Sequence, residues 1–171
     1  MRQEGKTVAK KVAYCGMLVA LAMIFSYVEA LIPISFGVPG IKLGLANLVV
    51  LSGLYRMKPA EILSVSVARI LLIGFLFGNG MSIIYSLAGG LLSFLVMLLL
   101  KKTGGFSAIG VSIAGGVSHN IGQILVAAAV LKSSGVFYYL PVLMIARILT
   151  GALMGILTQR VLYAFPAEDR S

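Results

Sequence analysis

The sequence predicts an all-α membrane protein, a bundle of six transmembrane helices. Two properties of the composition indicate the membrane: 60% of the 171 residues are hydrophobic, and the mean hydropathy is +1.05. Only 11% of the residues are charged, against about 25% in soluble domains. A third observation gives the number of helices. Six apolar runs follow one another, and a helical span needs roughly 20 residues to cross a ~30 Å hydrocarbon core.

The six runs fill the chain, which we interpret as a single polytopic membrane domain over residues 1–171. Glycine, proline, asparagine and lysine occupy the short connections between the runs, as expected of turns. The first run follows basic residues but is too long for the apolar region of a signal peptide, so we interpret it as a retained helix. The predicted helices cover about residues 9–32, 41–56, 60–77, 81–100, 107–131 and 136–163.

The basic residues predict the orientation, because cytoplasmic loops carry an excess of lysine and arginine. With the N-terminus inside, most of the fourteen basic residues lie on the cytoplasmic side. Only Lys42 and Lys132 then lie outside, while Arg69 and Arg147 lie within spans. We therefore predict a multi-pass protein of the cell membrane with both termini in the cytoplasm. The net charge of +9 follows from this asymmetry and from contact with the lipid bilayer, and no nucleic-acid partner is expected.

Residues 26–47 join the first two helices and contain Glu29, Lys42 and Asn47. Prolines and glycines make a continuous helix unfavourable over residues 33–40. Hydrocarbon does not tolerate unpaired backbone polar groups, so this segment should lie against protein, a cavity or the interface. A charged interruption between two spans is typical of a substrate site, and an ordinary hairpin loop is the alternative.

Small residues form one stripe on the first helix, with successive spacings of 4, 3 and 4. Such a stripe allows another helix to approach closely. At 100° per residue, Glu29 points about 180° away from it. The helix therefore has a smooth face and an opposite polar face, and packing of the stripe within the bundle is the alternative. The stripe consists of Ala9, Ala13, Gly16 and Ala20.

Polar side chains within the later helices predict a charged interior. An arginine at a helix centre costs roughly 2.5–3.5 kcal/mol on insertion scales and is normally turned inward and paired, and it cannot deprotonate. Glu29 is the one acid expected at membrane level, so a bound anion is the economical partner for Arg69 and Arg147. His119, Asn120 and Gln123 should lie in the same interior, although a hydrogen-bonded core histidine is the alternative.

A short internal match is consistent with a 3+3 inverted repeat. Residues 67–71 read VARIL and residues 145–149 read IARIL, at corresponding positions of the third and sixth helices. Inverted repeats with a site between them are common in transporters. Coincidence within an apolar alphabet is the alternative.

Three runs carry a resemblance to a known family: YVEALIP at residues 27–33, PGIKLGLAN at 39–47 and SHNIGQ at 118–123. They resemble the Gx transporter family, whose members are often described as heptaprenyl diphosphate synthase component I. The size and the stripe are also similar to the S components of energy-coupling factor (ECF) transporters. This second resemblance implies that Ala9, Ala13, Gly16 and Ala20 dock a transmembrane coupling subunit. It also implies that residues 33–40 form a lid over an outward-facing pocket.

The chain itself is not expected to be an enzyme. Prenyl chain elongation binds diphosphate through Mg²⁺ held by clustered carboxylates, and this sequence has one aspartate, Asp169. It also lacks a GxxxxGK[ST] phosphate loop. No cofactor or metal site is therefore expected in this chain, and any ATP would be used by separate ATPase subunits.

The sequence thus predicts the substrate-binding subunit of an ECF-like importer for a small anionic or amphipathic compound. Its predicted partners are the coupling subunit and the ATPase subunits. The alternative is a non-catalytic membrane accessory of isoprenoid or quinone synthesis that binds a prenyl diphosphate. A channel is a third class, and it would need an oligomer. The predicted substrate contacts are Glu29, Lys42, Asn47, Arg69, His119, Asn120, Gln123 and Arg147.

Overall fold

The computed structural model describes residues 2–31 and 43–165. These residues form six α-helices and one short 3₁₀ helix, with no strand in the two described ranges. Five of the α-helices are long and apolar enough to cross a membrane, which confirms the all-α, membrane-type class. The helices are α1 (Arg2–Leu31), α2 (Leu45–Arg56), α3 (Pro59–Phe77), α4 (Gly80–Thr103), α5 (Ala108–Leu131) and α6 (Leu140–Ala164), with the 3₁₀ helix (Ser134–Tyr139) before α6.

The second helix is shorter than the predicted range of residues 41–56. It has 12 residues, which extend about 18 Å at 1.5 Å per residue and fall short of a ~30 Å core. The helix begins after Gly44, whose φ of 80° and ψ of 31° are left-handed and therefore cannot be part of the helix. The predicted lid at residues 33–40 and the predicted contact Lys42 lie outside the described residues.

The other helices begin at local signals in the sequence. Pro59 occupies the first turn of α3, where a missing amide hydrogen costs nothing. Asn79 caps α4 by accepting a 2.9 Å hydrogen bond from the Ser82 amide, and Ser107 caps α5 in the same way. The last helix begins at Leu140 instead of residue 136 because the 3₁₀ helix precedes it.

The α5 helix lies between α4 and α6, and glycines allow this close packing. A Cβ added at Gly122 would lie 2.8 Å from the backbone oxygen of Ala88 in α4. One added at Gly155 would lie 2.5 Å from the Ile109 Cα in α5. Since side chains would collide with backbone at both positions, the backbones of α4, α5 and α6 approach closely, as small residues permit in membrane bundles.

One end of the bundle, which we call the basic end, is closed by the core and by lysine and arginine side chains. Leu54 of α2 and Ile62 of α3 are fully buried in a hydrophobic cluster that extends to α4 and α5. The Lys101 Nζ donates a 2.6 Å hydrogen bond to the Leu54 carbonyl. The Arg56 guanidinium donates to the Val161 carbonyl over 2.9 Å. These contacts tie the ends of α2, α4 and α6 together, and the opposite end of the bundle contains the cavity.

Candidate binding cavity

A cavity of about 410 Å³ lies among α1, α2, α3, α4, α5 and α6 at the end opposite the basic end. Its walls include residues near the last turns of α1 and α3 and the first turns of α2 and α4. The volume falls within the ~300–1,000 Å³ range of small-molecule sites. All six α-helices of the described part contribute to it, so the cavity exists only in the assembled bundle.

Glu29 and Gly44 connect α1 to the beginning of α2 within this cavity. The Gly44 amide donates a 2.6 Å hydrogen bond to the Glu29 Oε1. Gly44 is the N-cap position of α2 and has no side chain to cap the helix, and the carboxylate of α1 accepts the amide hydrogen of this N-cap residue. Negative charge is favourable at a helix N-terminus. The contact therefore holds Glu29 in place and fixes the start of α2.

Arg147 of α6 lines the same cavity and is held by Asn120 of α5. Its side chain is only 7% exposed, and that of Asn120 is 2% exposed. The Arg147 Nε donates a 3.0 Å hydrogen bond to the Asn120 Oδ1, while the Asn120 Nδ2 donates to the Leu143 carbonyl over 3.2 Å. A Cβ added at Gly44 would lie 3.3 Å from the Arg147 Nη1. The guanidinium therefore lies beside the Gly44 backbone.

Arg69 of α3 is half-buried and only weakly held by protein groups. Its Nη1 donates a long, 3.4 Å hydrogen bond to the Ser26 hydroxyl, which itself donates to the Ala22 carbonyl over 2.9 Å. Its Nε is buried without a hydrogen-bond partner in the described part of the chain. An unsatisfied donor of this kind is costly when buried, so Arg69 has unused capacity to bind a further acceptor.

The three charged groups interact across the cavity. The Glu29 carboxylate lies near enough to both guanidinium groups to attract them electrostatically. Two arginines and one carboxylate line the described walls. These three groups together have one positive charge in excess. An anion would compensate that charge, and the planar donor forks of arginine suit a carboxylate or a phosphate.

The cavity lining is partly apolar and partly polar. Ile70, Ile73 and Phe77 follow at helical spacing along α3 and make an apolar wall. The polar part of the lining comes from the first turns of α4 and from the middle and second half of α5. Its side chains are those of Ser82, Ser86, His119 and Gln123.

Six of the eight side chains predicted from the sequence line this one cavity: Glu29, Asn47, Arg69, His119, Gln123 and Arg147. Asn120 does not line it, because its amide is buried behind Arg147 and is used to hold that arginine. The eighth, Lys42, is outside the described residues. Direct contact of the six with a substrate stays a prediction.

Two features of the cavity lining were not predicted from the sequence. The Gly44 amide was missed because a backbone donor leaves no side-chain signal. The aromatic pair of Tyr27 and Phe77, with ring centroids 5.6 Å apart, was also missed. The rings come from the outer turns of two different helices, so their contact is visible only in the tertiary structure.

The small-residue stripe of α1 faces away from the cavity. A Cβ added at Gly16 would meet nothing within 4 Å, and all four residues of the stripe are exposed. Ala22, by contrast, is fully buried. Within the described part of the chain, the stripe is therefore not used for internal packing. Its four members are Ala9, Ala13, Gly16 and Ala20.

The fold and the cavity together define a helical bundle of the membrane-protein type with a charged cavity among its helices. The chain belongs to the family described as heptaprenyl diphosphate synthase component I, also commonly called the Gx transporter family, whose sequence profile matches residues 18–161. This match confirms the resemblance seen in the three sequence runs. No match is found among curated proteins or among solved structures.

Proposed function

We propose that this chain is the membrane-embedded substrate-binding subunit of an ECF-like importer for a small anionic or amphipathic compound. The observation that supports the proposal most is the juxtaposition of Arg69 and Arg147 in one cavity whose described lining contains a single acid, Glu29. Charged side chains inside a membrane bundle are costly and usually mark a substrate or ion pathway. A bound anion would neutralise the excess charge and satisfy the open donor of Arg69.

The exposed stripe of α1 supports the second half of the proposal, the assembly with partner subunits. A helix with small residues on an open face can be approached closely by another helix. Here that face is separate from the cavity side of α1, which contains Ser26 and Glu29. One helix would then bind the coupling subunit on one face and contact the substrate on the other, while separate ATPase subunits supply the energy.

The proposed orientation places the basic end in the cytoplasm and the cavity end outside. Cysteines introduced at two glycines test it, because a Cβ at Gly80 or at Gly105 would meet nothing within 4 Å. In a Cys15→Ala background, an impermeant maleimide added to intact cells should label Gly80→Cys and not Gly105→Cys. Labelling of Gly105→Cys alone would show that the orientation is the reverse of the proposed one.

The alternative function, a non-catalytic accessory of isoprenoid or quinone synthesis, is favoured by the family description itself. In that case the two arginines would bind the diphosphate of a prenyl compound. A description of a component does not assign catalysis to this chain, whose sequence has a single aspartate. The two functions differ in their partners and in their ligand.

Affinity purification from a native membrane, followed by mass spectrometry, tests the proposal. The importer function predicts that the chain recovers a transmembrane coupling subunit and ATPase subunits, with a small anion released on denaturation. An Ala13→Leu variant serves as the matched control, since it should lose the subunits and keep the anion. Recovery of a soluble prenyl synthase and a prenyl diphosphate would favour the accessory function instead.

A further inference from the structure

We infer that the cavity takes a compact amphipathic monoanion, whose charged group lies beside Arg69 and Arg147 and whose apolar body lies along α3. This inference rests on the proposed binding function and narrows its substrate class from any small anion to one charge type and one shape. Three properties of the described walls support it: their charge, the order of polar and apolar groups along the cavity, and the volume.

The charge of the walls favours a single negative charge on the ligand. Arg69 and Arg147 are opposed by Glu29 alone in the described lining, and Lys42, outside the described residues, is not counted. The Gly44 amide holds the Glu29 carboxylate over 2.6 Å, and a helix N-terminus attracts negative charge. The Glu29 carboxylate is therefore held in place within the cavity. One further negative charge completes the neutralisation, whereas a dianion would leave an excess of buried negative charge, which is unfavourable.

The order of charged and apolar side chains along α3 sets which way the ligand lies in the cavity. Ile70 is 5% exposed and Phe77 is 63% exposed, so the apolar wall extends from the interior to the mouth of the cavity. Arg69 precedes Phe77 by eight residues, about 12 Å along the helix. Tyr27, from α1, pairs with Phe77 at the mouth. A ligand with its anionic group at Arg69 would therefore place its apolar body against Ile73 and this aromatic pair.

The polar lining and the volume limit the body of the ligand. Hydroxyl, imidazole and amide groups from α4 and α5 also line the cavity, so the body of the ligand can form hydrogen bonds as well as pack on α3. A volume of about 410 Å³ lies toward the lower end of the range of small-molecule sites, ~300–1,000 Å³. A heptaprenyl tail exceeds this space, and a diphosphate exceeds the charge that the described walls can neutralise.

Three probes with one ring system test the charge: 1-naphthylacetate as the monoanion, 1-naphthylacetamide as the neutral control, and 1-naphthyl phosphate as the dianion. At pH 8 the phosphate is doubly charged, since the second pKa of a phosphate ester is about 6. Dissociation constants are measured on the protein in lipid nanodiscs, and the amide corrects for partition of the ring into lipid. For the wild-type chain, we expect the monoanion to bind about tenfold tighter than either other probe.

The Glu29→Gln variant gives the decisive result. Glutamine keeps an oxygen for the Gly44 amide but removes the negative charge, so the described walls gain a second positive charge in excess. The preference should therefore change from the monoanion to the dianion, a reversal that a purely structural role of Glu29 does not produce. Phe77→Ser, at an exposed position, should weaken the binding of both anions without changing their order.

The outcomes separate this inference from the proposed function. If the dianion binds wild type better, and its binding depends on Arg69, the cavity is an anion site but the monoanion class is overturned. The monoanion class is likewise overturned if the monoanion preference appears only after the Lys42→Gln replacement. If no probe shows binding that depends on Arg69 or Arg147, the inference fails. The proposed function fails as well only if the purified protein also contains no arginine-dependent anion of its own.

Discussion

The Arg147 Nε donates a 3.0 Å hydrogen bond to the Asn120 Oδ1, and both side chains are buried. The same Asn120 donates through its Nδ2 to the Leu143 carbonyl, one helical turn before Arg147. One amide thus holds both the side chain and the local backbone of the α6 segment that bears the arginine. The Arg147 guanidinium is directed to the cavity by this contact between α5 and α6.

Asn120→Ala should lower the stability of the protein by about 1–3 kcal/mol, because it leaves buried donors without their partner. It should also weaken anion binding, since Arg147 loses its orientation. Thermal melting and ligand affinity measure the two effects. Ser118→Ala is the matched control in the same helix, because the Ser118 hydroxyl bonds only to carbonyls of its own helix in the described contacts.

A double-mutant cycle distinguishes positioning from direct contact. If Asn120 acts through Arg147, then Asn120→Ala should weaken binding little more once Arg147→Gln is present, because coupled residues are not additive. Full additivity of the two losses in affinity would instead indicate that Asn120 contacts the ligand itself.

Gly44→Ala tests the backbone contribution to the cavity. An L-residue in the left-handed region costs roughly 1–2 kcal/mol, and Gly44 has a φ of 80°. Gly104→Ala is the control, since Gly104 has a φ of 69° with nothing within 4 Å of an added Cβ. Both variants should lose similar stability in thermal melting. Only Gly44→Ala should also lose anion affinity, because its methyl group would press on the Arg147 Nη1. Equal binding by both variants would contradict this role of Gly44.

The sequence predicted the charged cavity because membrane burial of arginine needs a partner. Arg69, Arg147 and Glu29 could be assigned to one interior from the shortage of acids alone, and the structure brings them to one cavity. The all-α class followed from hydropathy in the same direct way, since apolar runs of span length leave few alternatives.

Other features depend on tertiary geometry that one sequence does not contain. The pattern around residues 118–123 does not reveal whether Asn120 reaches a ligand or a neighbouring arginine, because that depends on the distance between α5 and α6. The late start of α2 depends on the left-handed conformation of Gly44. A glycine permits that conformation but does not require it.

Ala13→Leu should prevent assembly with a coupling subunit by its bulk alone, since Ala13 is exposed on the small-residue face of α1. Ligand affinity of the isolated chain should be unchanged, because the cavity side of α1 is separate. Val12→Leu is the control: Val12 is 66% exposed and lies beside the stripe. Co-purification of the subunits measures the effect, and an intact complex with Ala13→Leu would exclude this docking face.

The two arginines should respond differently to replacement, because the structure holds them differently. Arg147→Gln should lower both the melting temperature and the affinity, since Arg147 is bound to buried Asn120. Arg69→Gln should lower the affinity and leave the melting temperature of the ligand-free protein nearly unchanged, because its hydrogen bond to Ser26 is long, at 3.4 Å. Each charged hydrogen bond contributes about 1.5–3 kcal/mol, which corresponds to roughly ten- to a hundredfold in affinity.

Lysine at either position should restore binding only in part, since it provides a point charge without the planar fork. Melting curves with and without the co-purified compound, recorded for wild type and both glutamine variants, separate affinity from stability. If both variants melt much lower yet keep the wild-type stabilisation by ligand, the arginines serve the fold, and the anion binds elsewhere. If Arg69→Gln alone loses ligand stabilisation at an unchanged ligand-free melting temperature, the open donors of Arg69 are part of the anion site.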